Sequence, residues 1–294
     1  MIIVKLIGGL GNQMFQYALG QHLAMKNNST LKLDIQGFKN YKLRNYDLNC
    51  FNIQENIARS KDLMCVSLPS DRFIHKIGKH LEVKLTGVQQ IQYIKEQKSD
   101  FQPEILSLGD NIYLDGYWQS EKYFLDIENI IRNEFSIVNP LTSTSQNIAE
   151  QIKGCESVSI HVRRGDYVSN PVANQILGVC SLDYYNSAIQ LMNKKLKCPH
   201  YFIFSDDLAY METIFKDNSS VSIVSHNNLD KNNDFQDLYL MSLCQHQIIA
   251  NSTFSWWAAW LNRNKYKIVI APEKWFKDKS MNSNDLIPKN WITI

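Results

Sequence analysis

From residue 157 to residue 271 the chain alternates short apolar segments with helix-periodic ones, and that alternation leaves few folds open. Ser157 to Arg163, Tyr201 to Ser205, Val221 to Val224, Gln247 to Ala250 and Lys267 to Ala271 have the length and residue types of buried strands. Leu182 to Leu196, Leu208 to Phe215, Asp234 to Cys244 and Phe254 to Asn262 carry helical spacing between them. Parallel strands need a crossover of about a dozen residues, which a helix supplies. The pattern therefore predicts a parallel, doubly wound sheet. Ligands of such sheets bind outside the carboxyl ends of the strands. Residues just after each strand are the first candidates for chemistry.

The front of the chain opens in the same idiom. Met1 to Ile7 reads as a buried strand, Gly8-Gly9-Leu10-Gly11 as a turn, and Asn12 to Ala24 as a helix with Phe15, Leu19 and Leu23 at helical spacing. Leu31 to Asp34 completes a β-α-β unit. Met14 stands where a third glycine would complete a dinucleotide fingerprint, so that motif is absent. Two readings stay open for the turn: backbone amides offered to a ligand beside Gly11 and Asn12, or a plain tight turn. Gln36 to Gln102 is irregular and helix-rich, with helical patches at Asn56 to Met64 and Asp71 to His80. Ile112 to Trp118 returns to strand character, and Gln119 opens a helix running to about Phe135. Ser136 to Ser145, with Pro140 and repeated Ser and Thr, is the expected linker, giving domains 1–138 and 139–294.

At 294 residues the chain has room for two such domains. Its net charge of +2 excludes the broad basic field that sequence-independent nucleic-acid binding needs. Cys50, Cys65, Cys155, Cys180, Cys198 and Cys244 are scattered without a CxxC pair, which fits reduced thiols better than disulfides or zinc. No apolar run is long enough to span a bilayer. The expectation is a soluble cytoplasmic protein, at most peripheral at the inner face of a membrane. Its oligomeric state is not written in the sequence.

Two stretches carry the chemistry. In His161-Val162-Arg163-Arg164-Gly165-Asp166-Tyr167, Val158, Ile160 and Val162 share one strand face and His161 and Arg163 the other. Arginine's planar fork suits phosphate oxygens, so the segment is an anion site or a strand end whose arginines pair with nearby acids. Asp206 and Asp207 follow the next strand. Asp207 reads as a helix cap, while Asp206 stays open between ligand and structure. Adjacent aspartates lack the Asp-x-Asp spacing that straddles a metal ion, so no metal is implied. In the second stretch, Asn251-Ser252-Thr253-Phe254-Ser255 ends a strand and starts an aromatic helix, an N-terminus suited to a diphosphate. Trp256, Trp257 and Trp260 read as core. Asp237 is either an acceptor for guanine's two N–H donors or an exposed helix charge.

Together these segments resemble the α1,2-fucosyltransferases of glycosyltransferase family 11. Gly8 to Ala18 is similar to that family's opening motif, His161 to Tyr167 to its His-x-Arg-Arg signature, Gly116-Tyr117-Trp118-Gln119 to a further family segment, and Asn251 to Leu261 to its closing block. The resemblance implies an α/β GT-B fold with two Rossmann-type domains facing a cleft. It implies inverting, metal-independent transfer of L-fucose from GDP-fucose to the 2-hydroxyl of a terminal β-galactoside. Arg163 would bind the β-phosphate with His161 beside it, Asp237 would read guanine, and Ser252, Thr253, Phe254 and Ser255 would hold the diphosphate. Gly11 and Asn12 would reach the donor from the first domain as the cleft closes. Asp166 is the candidate base, or else it orients Arg163 or Arg164. No cofactor is expected beyond the donor substrate, and the partners are GDP-fucose and a galactose-terminated glycan. The segment Gln36 to Gln102 matches no family motif.

Overall fold

A computed structural model of the chain describes residues 1–41, 43–67, 90–215, 218–225, 234–278 and 280–294. It divides into two compact units, Met1–Ser136 and Ile137–Ile294. The division falls inside the segment that the sequence assigns to the linker.

The first unit contains β1 (Ile2–Lys5), α1 (Leu10–Lys26), β2 (Leu31–Asp34), α2 (Ser60–Leu63), β3 (Val66–Ser67), β4 (Ile91–Lys95), β5 (Ile112–Asp115) and α3 (Glu128–Glu134). Among the described residues its strands form one parallel sheet in the order β2-β1-β5-β4-β3. Alternate residues of a strand face opposite sides. Ile3 accordingly joins a cluster with Ala58, Val66, Ile91 and Tyr113. Two expectations change here. Residues 36–102 contribute the strands β3 and β4, which helical periodicity had hidden. The helix expected from Asn56 to Met64 shrinks to α2, because the Asn56 carbonyl and the Ala58 amide bond to Leu33 of β2 at 2.8 Å each. Asp71 to His80 lies outside the described residues.

The helix expected from Gln119 to Phe135 is also corrected. Two 3-10 turns, Glu121–Tyr123 and Leu125–Ile127, precede α3. Phe124 between them takes φ −144°, outside the helical region. Its fully buried ring packs 6.1 Å from that of Phe15. Core contact overrides local propensity at that residue.

The second unit contains α4 (Ser143–Lys153), β6 (Glu156–Val162), α5 (Gly165–Ser169), α6 (Pro171–Ile176), α7 (Leu182–Lys195), β7 (Pro199–Ser205) and α8 (Leu208–Phe215). It continues with β8 (Val221–Ile223), α9 (Asp234–Leu243), β9 (His246–Ile248), α10 (Thr253–Leu261), β10 (Val269–Ala271) and β11 (Ile292–Thr293). The last part of the expected linker is therefore helix. Thr142 caps α4 by accepting the Ser145 amide at 3.2 Å, so the Ser/Thr run marks a helix start.

The strands of this unit pair in the order β11-β10-β9-β6-β7-β8, all parallel. The chain lays β6, β7 and β8 in one direction, then crosses over to place β9, β10 and β11 on the other side of β6. The gap between β6 and β9 is thus a topological switch point, where open α/β sheets bind ligands. Val158, Ile160 and Val162 pack on Tyr185, Ala188, Met192 and Met211 across one face. Behind α10, Trp256, Trp257 and Trp260 are core residues, with Trp256 Nε1 donating to the Leu286 carbonyl at 2.7 Å. Each such buried aromatic stabilises the unit by about 1.5–3 kcal/mol. Among the described residues no helix is long and apolar enough to cross a membrane.

Candidate active site

Strand register builds the first half of the site. β6 pairs with β7 so that Val162 lies opposite Ser205. One step further, Arg163 meets Asp206, and one more brings Arg164 to Asp207. Arg163 Nη1 lies 2.9 Å from Asp206 Oδ2, and Arg164 Nε donates to Asp207 Oδ2 at 2.9 Å. Asp206 Oδ1 also accepts the Arg164 and Gly165 amides at 2.8 and 3.0 Å. A Cβ on Gly165 would come within 2.6 Å of the Asp206 carboxylate, so only glycine fits this approach. Asp207 Oδ1 accepts the Tyr210 amide at 3.2 Å, the cap the sequence anticipates.

Arg163 Nη2 donates to Asp166 Oδ1 at 2.6 Å, and its guanidinium lies 5.5 Å from the centre of the Tyr167 ring. Burial alone would weaken its charge, but Asp206 and then Asp166 outweigh burial and hold it firmly protonated. His161 behaves differently. It is 5% exposed, its Nδ1 has no hydrogen-bond partner, and its ring lies 5.6 Å from that of Phe254. Burial first, and Arg163 second, push the imidazole far below its usual range. The side chain that the sequence shows leaning out beside Arg163 is therefore a neutral ring under α10.

The second half follows β9. Ile160 pairs with Ile248, and continuing that register brings Asn251 level with Arg163. Asn251 is 2% exposed. Its Nδ2 donates to the carbonyls of Leu177, Gly178 and Trp275 at 2.9, 3.2 and 3.1 Å, and its Oδ1 accepts from Cys180 Sγ at 3.4 Å. The Tyr167 hydroxyl donates to the Asn251 carbonyl at 3.2 Å and so ties the loop after β6 to the loop after β9. Ser252 then caps α10, accepting the Phe254 amide at 3.4 Å. Ser255 is buried and donates to the Ser252 carbonyl at 3.3 Å, while Thr253 and Phe254 are half-buried. A cavity of about 1090 Å³ adjoins Asn251, with Cys180, Tyr184 and Trp275 among its walls. Asp237 is half-buried in the first turn of α9.

Gly11 and Asn12 belong to the first unit, where the same construction recurs on a smaller scale. The loops after β1 and β5 adjoin at the point where the sheet order reverses. Gly8 has φ +79°, and a Cβ there would meet Asn12 Nδ2 at 2.5 Å, so the turn demands glycine. Asn12 Oδ1 accepts from Gln119 Nε2 at 2.9 Å. Two fully buried glutamines of α1 brace the turn. Gln13 Nε2 donates to the Gly8 and Asn45 carbonyls at 3.0 and 2.8 Å. Gln16 accepts the Ile7 amide at 3.0 Å and donates to the Gly116 carbonyl at 3.1 Å.

Sequence reading missed the roles of Gln13, Gln16, Asn251 and Tyr167. The available signal was an amide on the apolar face of a helix or at a strand end, where an unpaired polar group is too costly to bury.

The family model for Glycosyl transferase family 11 matches residues 1–294. The chain belongs to this family. An alpha-1,2-colitosyltransferase of Escherichia coli is 35% identical over 300 residues, covering 100% of this chain and 98% of that protein. A galactoside alpha-(1,2)-fucosyltransferase 1 of Leontocebus fuscicollis is 25% identical over 166 residues, 54% of this chain and 45% of that protein. Among solved structures, the fucosyltransferase NodZ from Bradyrhizobium superposes with a TM-score of 0.51 at 13% identity, over 87% of this family 11 chain and 91% of NodZ. This likeness concerns the fold, which is α/β of the GT-B type.

Proposed function

We propose that the chain transfers L-fucose from GDP-fucose to the 2-hydroxyl of a terminal β-galactoside, with inversion and without a metal ion. The observation that carries this reading is Arg163, fixed by two carboxylates at the switch point, level with the start of α10. Departure of GDP develops charge on the β-phosphate. A fixed guanidinium and helix-start amides stabilise that charge without reorganising. Ser252, Thr253, Phe254 and Ser255 line the diphosphate, Asp237 takes guanine, and neutral His161 lies under Arg163. Asp206 holds the loop that carries Arg163.

The test is direct. Purified protein with GDP-fucose and lactose should release GDP and give an α1,2-linked product by linkage analysis, unchanged by an excess of EDTA. Loss of turnover in chelator removes the metal-free reading, and a different linkage removes the acceptor assignment. GDP release that is absent under all donors and acceptors points to a non-catalytic binding protein.

The similarity to a colitosyltransferase supports a second reading, transfer of the 3-deoxy relative of fucose. A site that hydrogen-bonds the fucose 3-hydroxyl rejects the deoxy sugar by about 10⁴-fold, whereas an apolar wall discriminates far less. The ratio of kcat/KM for the two GDP-sugars decides between them.

Asp166 accepts from Arg163, which supports an orienting role over proton abstraction. Asp166→Asn keeps an oxygen for Arg163 and is expected to retain activity within about tenfold. A loss in the range of about 10²- to 10⁴-fold, the usual contribution of a general base, would restore the base assignment.

A further inference from the structure

The carboxyl edge of the first sheet holds an arrangement that the donor chemistry leaves unused. Trp118 takes φ +56°, the left-handed region, where a bulky side chain is a genuine outlier. Such strain persists only where surrounding structure enforces it, and it gathers at ligand sites. Here the enforcing group is Glu96, directly after β4. Its Oε2 accepts the Tyr117 amide at 2.6 Å and its Oε1 the Trp118 amide at 3.0 Å. Burial, opposed by those two amides and aided by Asp115, raises the Glu96 carboxyl above its usual range. The arrangement therefore carries both backbone strain and a desolvated carboxylate.

What it achieves is a division of two neighbouring aromatic residues. Trp118 is fully buried, its Nε1 without a partner, edge-on to Tyr123 at 5.9 Å. Tyr117 is turned out and is 45% exposed. The next residue, Gln119, is the one that bonds Asn12. Burial first, and then Tyr41, Glu96 and Asp115, push the Tyr117 phenol up. Of these neighbours, Asp115 is paired with Lys5 at 3.0 Å and both oxygens of Glu96 are taken by the Tyr117 and Trp118 amides. With those charges already engaged, what Tyr117 offers outward is the apolar face of its ring. The surroundings fit a neutral polyol.

We propose that Tyr117 is the platform on which the acceptor pyranoside stacks, with Glu96 and Trp118 as the positioning residues that present it. This deepens the transfer reading and rests on it. The ring contributes an apolar face against the sugar's C–H groups at little conformational cost.

Steady-state kinetics with GDP-fucose and lactose test the assignment. Tyr117→Ala should raise the lactose KM by roughly tenfold while the donor KM stays within about twofold. Tyr117→Phe, which keeps the ring, should restore the lactose KM. Glu96→Gln replaces an acceptor by a donor facing an amide and should raise the lactose KM with the donor KM unmoved. A Tyr117→Ala protein with unchanged lactose KM, or a Tyr117→Phe protein as impaired as Tyr117→Ala, overturns the platform. Calorimetric titration of lactose without any donor keeps the two readings apart. Binding lost in Tyr117→Ala supports the platform even where no GDP is released, and binding that survives overturns it.

Discussion

Arg163→Ala is expected to lower the rate of sugar transfer by roughly 10³-fold, the scale set by removing one preorganised donor from a developing oxyanion or a guanidinium from a phosphate. The expectation follows from placement. Strand register sets Arg163 beside Asp206 and the first turn of α5 brings Asp166 to it, so its fork is oriented before any donor arrives. The guanidinium contributes little to the core, since Asp166 and Asp206 retain 37% and 26% of their exposure and can turn to water. The variant should therefore melt within a few degrees of the parent while turnover, read as GDP release, collapses. Arg163→Lys keeps the charge but not the fork, and should recover only part of the loss. Turnover near the parent rate in Arg163→Ala would remove the guanidinium from the chemistry.

The largest effect on stability is expected at Asn251. Its amide satisfies three carbonyls from two separate loops, those of Gly178 and Trp275 in buried bonds, and receives the Cys180 thiol. Asn251→Ala strands those groups, and each unsatisfied buried carbonyl costs about 1–3 kcal/mol. With partial relaxation the sum is about 3 kcal/mol, equivalent to a fall in Tm of about 10 °C for a unit of this size. Asn251→Asp, similar in shape but presenting oxygen to oxygen, should do no better. Thermal melting followed by circular dichroism reads both variants. A fall of less than about 2 °C in Asn251→Ala would show that water replaces the side chain and that the loops need no such tie.

Much of the second unit is legible in sequence because strand, helix and turn signals agree there. Leu208 to Phe215 is a helix with the bounds its periodicity gives, and the strands fall within a few residues of their expected places. The motif edges are legible for the same reason: a parallel sheet offers its carboxyl ends, and His161 to Tyr167 and Asn251 to Ser255 follow β6 and β9 directly. Partnership is what stays hidden. Nothing in the order of residues says that Asp206 will lie beside Arg163, since that depends on a strand register formed by chains 43 residues apart in sequence (206 less 163). His161 shows the same limit. Alternation places it opposite Ile160, but only the tertiary packing of α10 decides that this face is dry. In the first unit β3 is only two residues long, and in β4 the apolar alternation of Ile91 and Tyr93 is broken at once by Ile94, so a period-two signal never develops.

Two guanidinium groups and three carboxylates share the rim of the second sheet, Arg163 and Arg164 against Asp166, Asp206 and Asp207. The resting rim is thus not a bare positive socket awaiting an anion. On the proposed reading, a diphosphate meets a guanidinium whose Nη1 and Nη2 already serve Asp206 and Asp166, so it adds to those charge-assisted bonds rather than meeting an isolated cation. The attraction it gains is smaller than two bare arginines would give, because three carboxylates already offset the two guanidinium charges. On that same reading, the balance eases release of GDP once the sugar has been transferred.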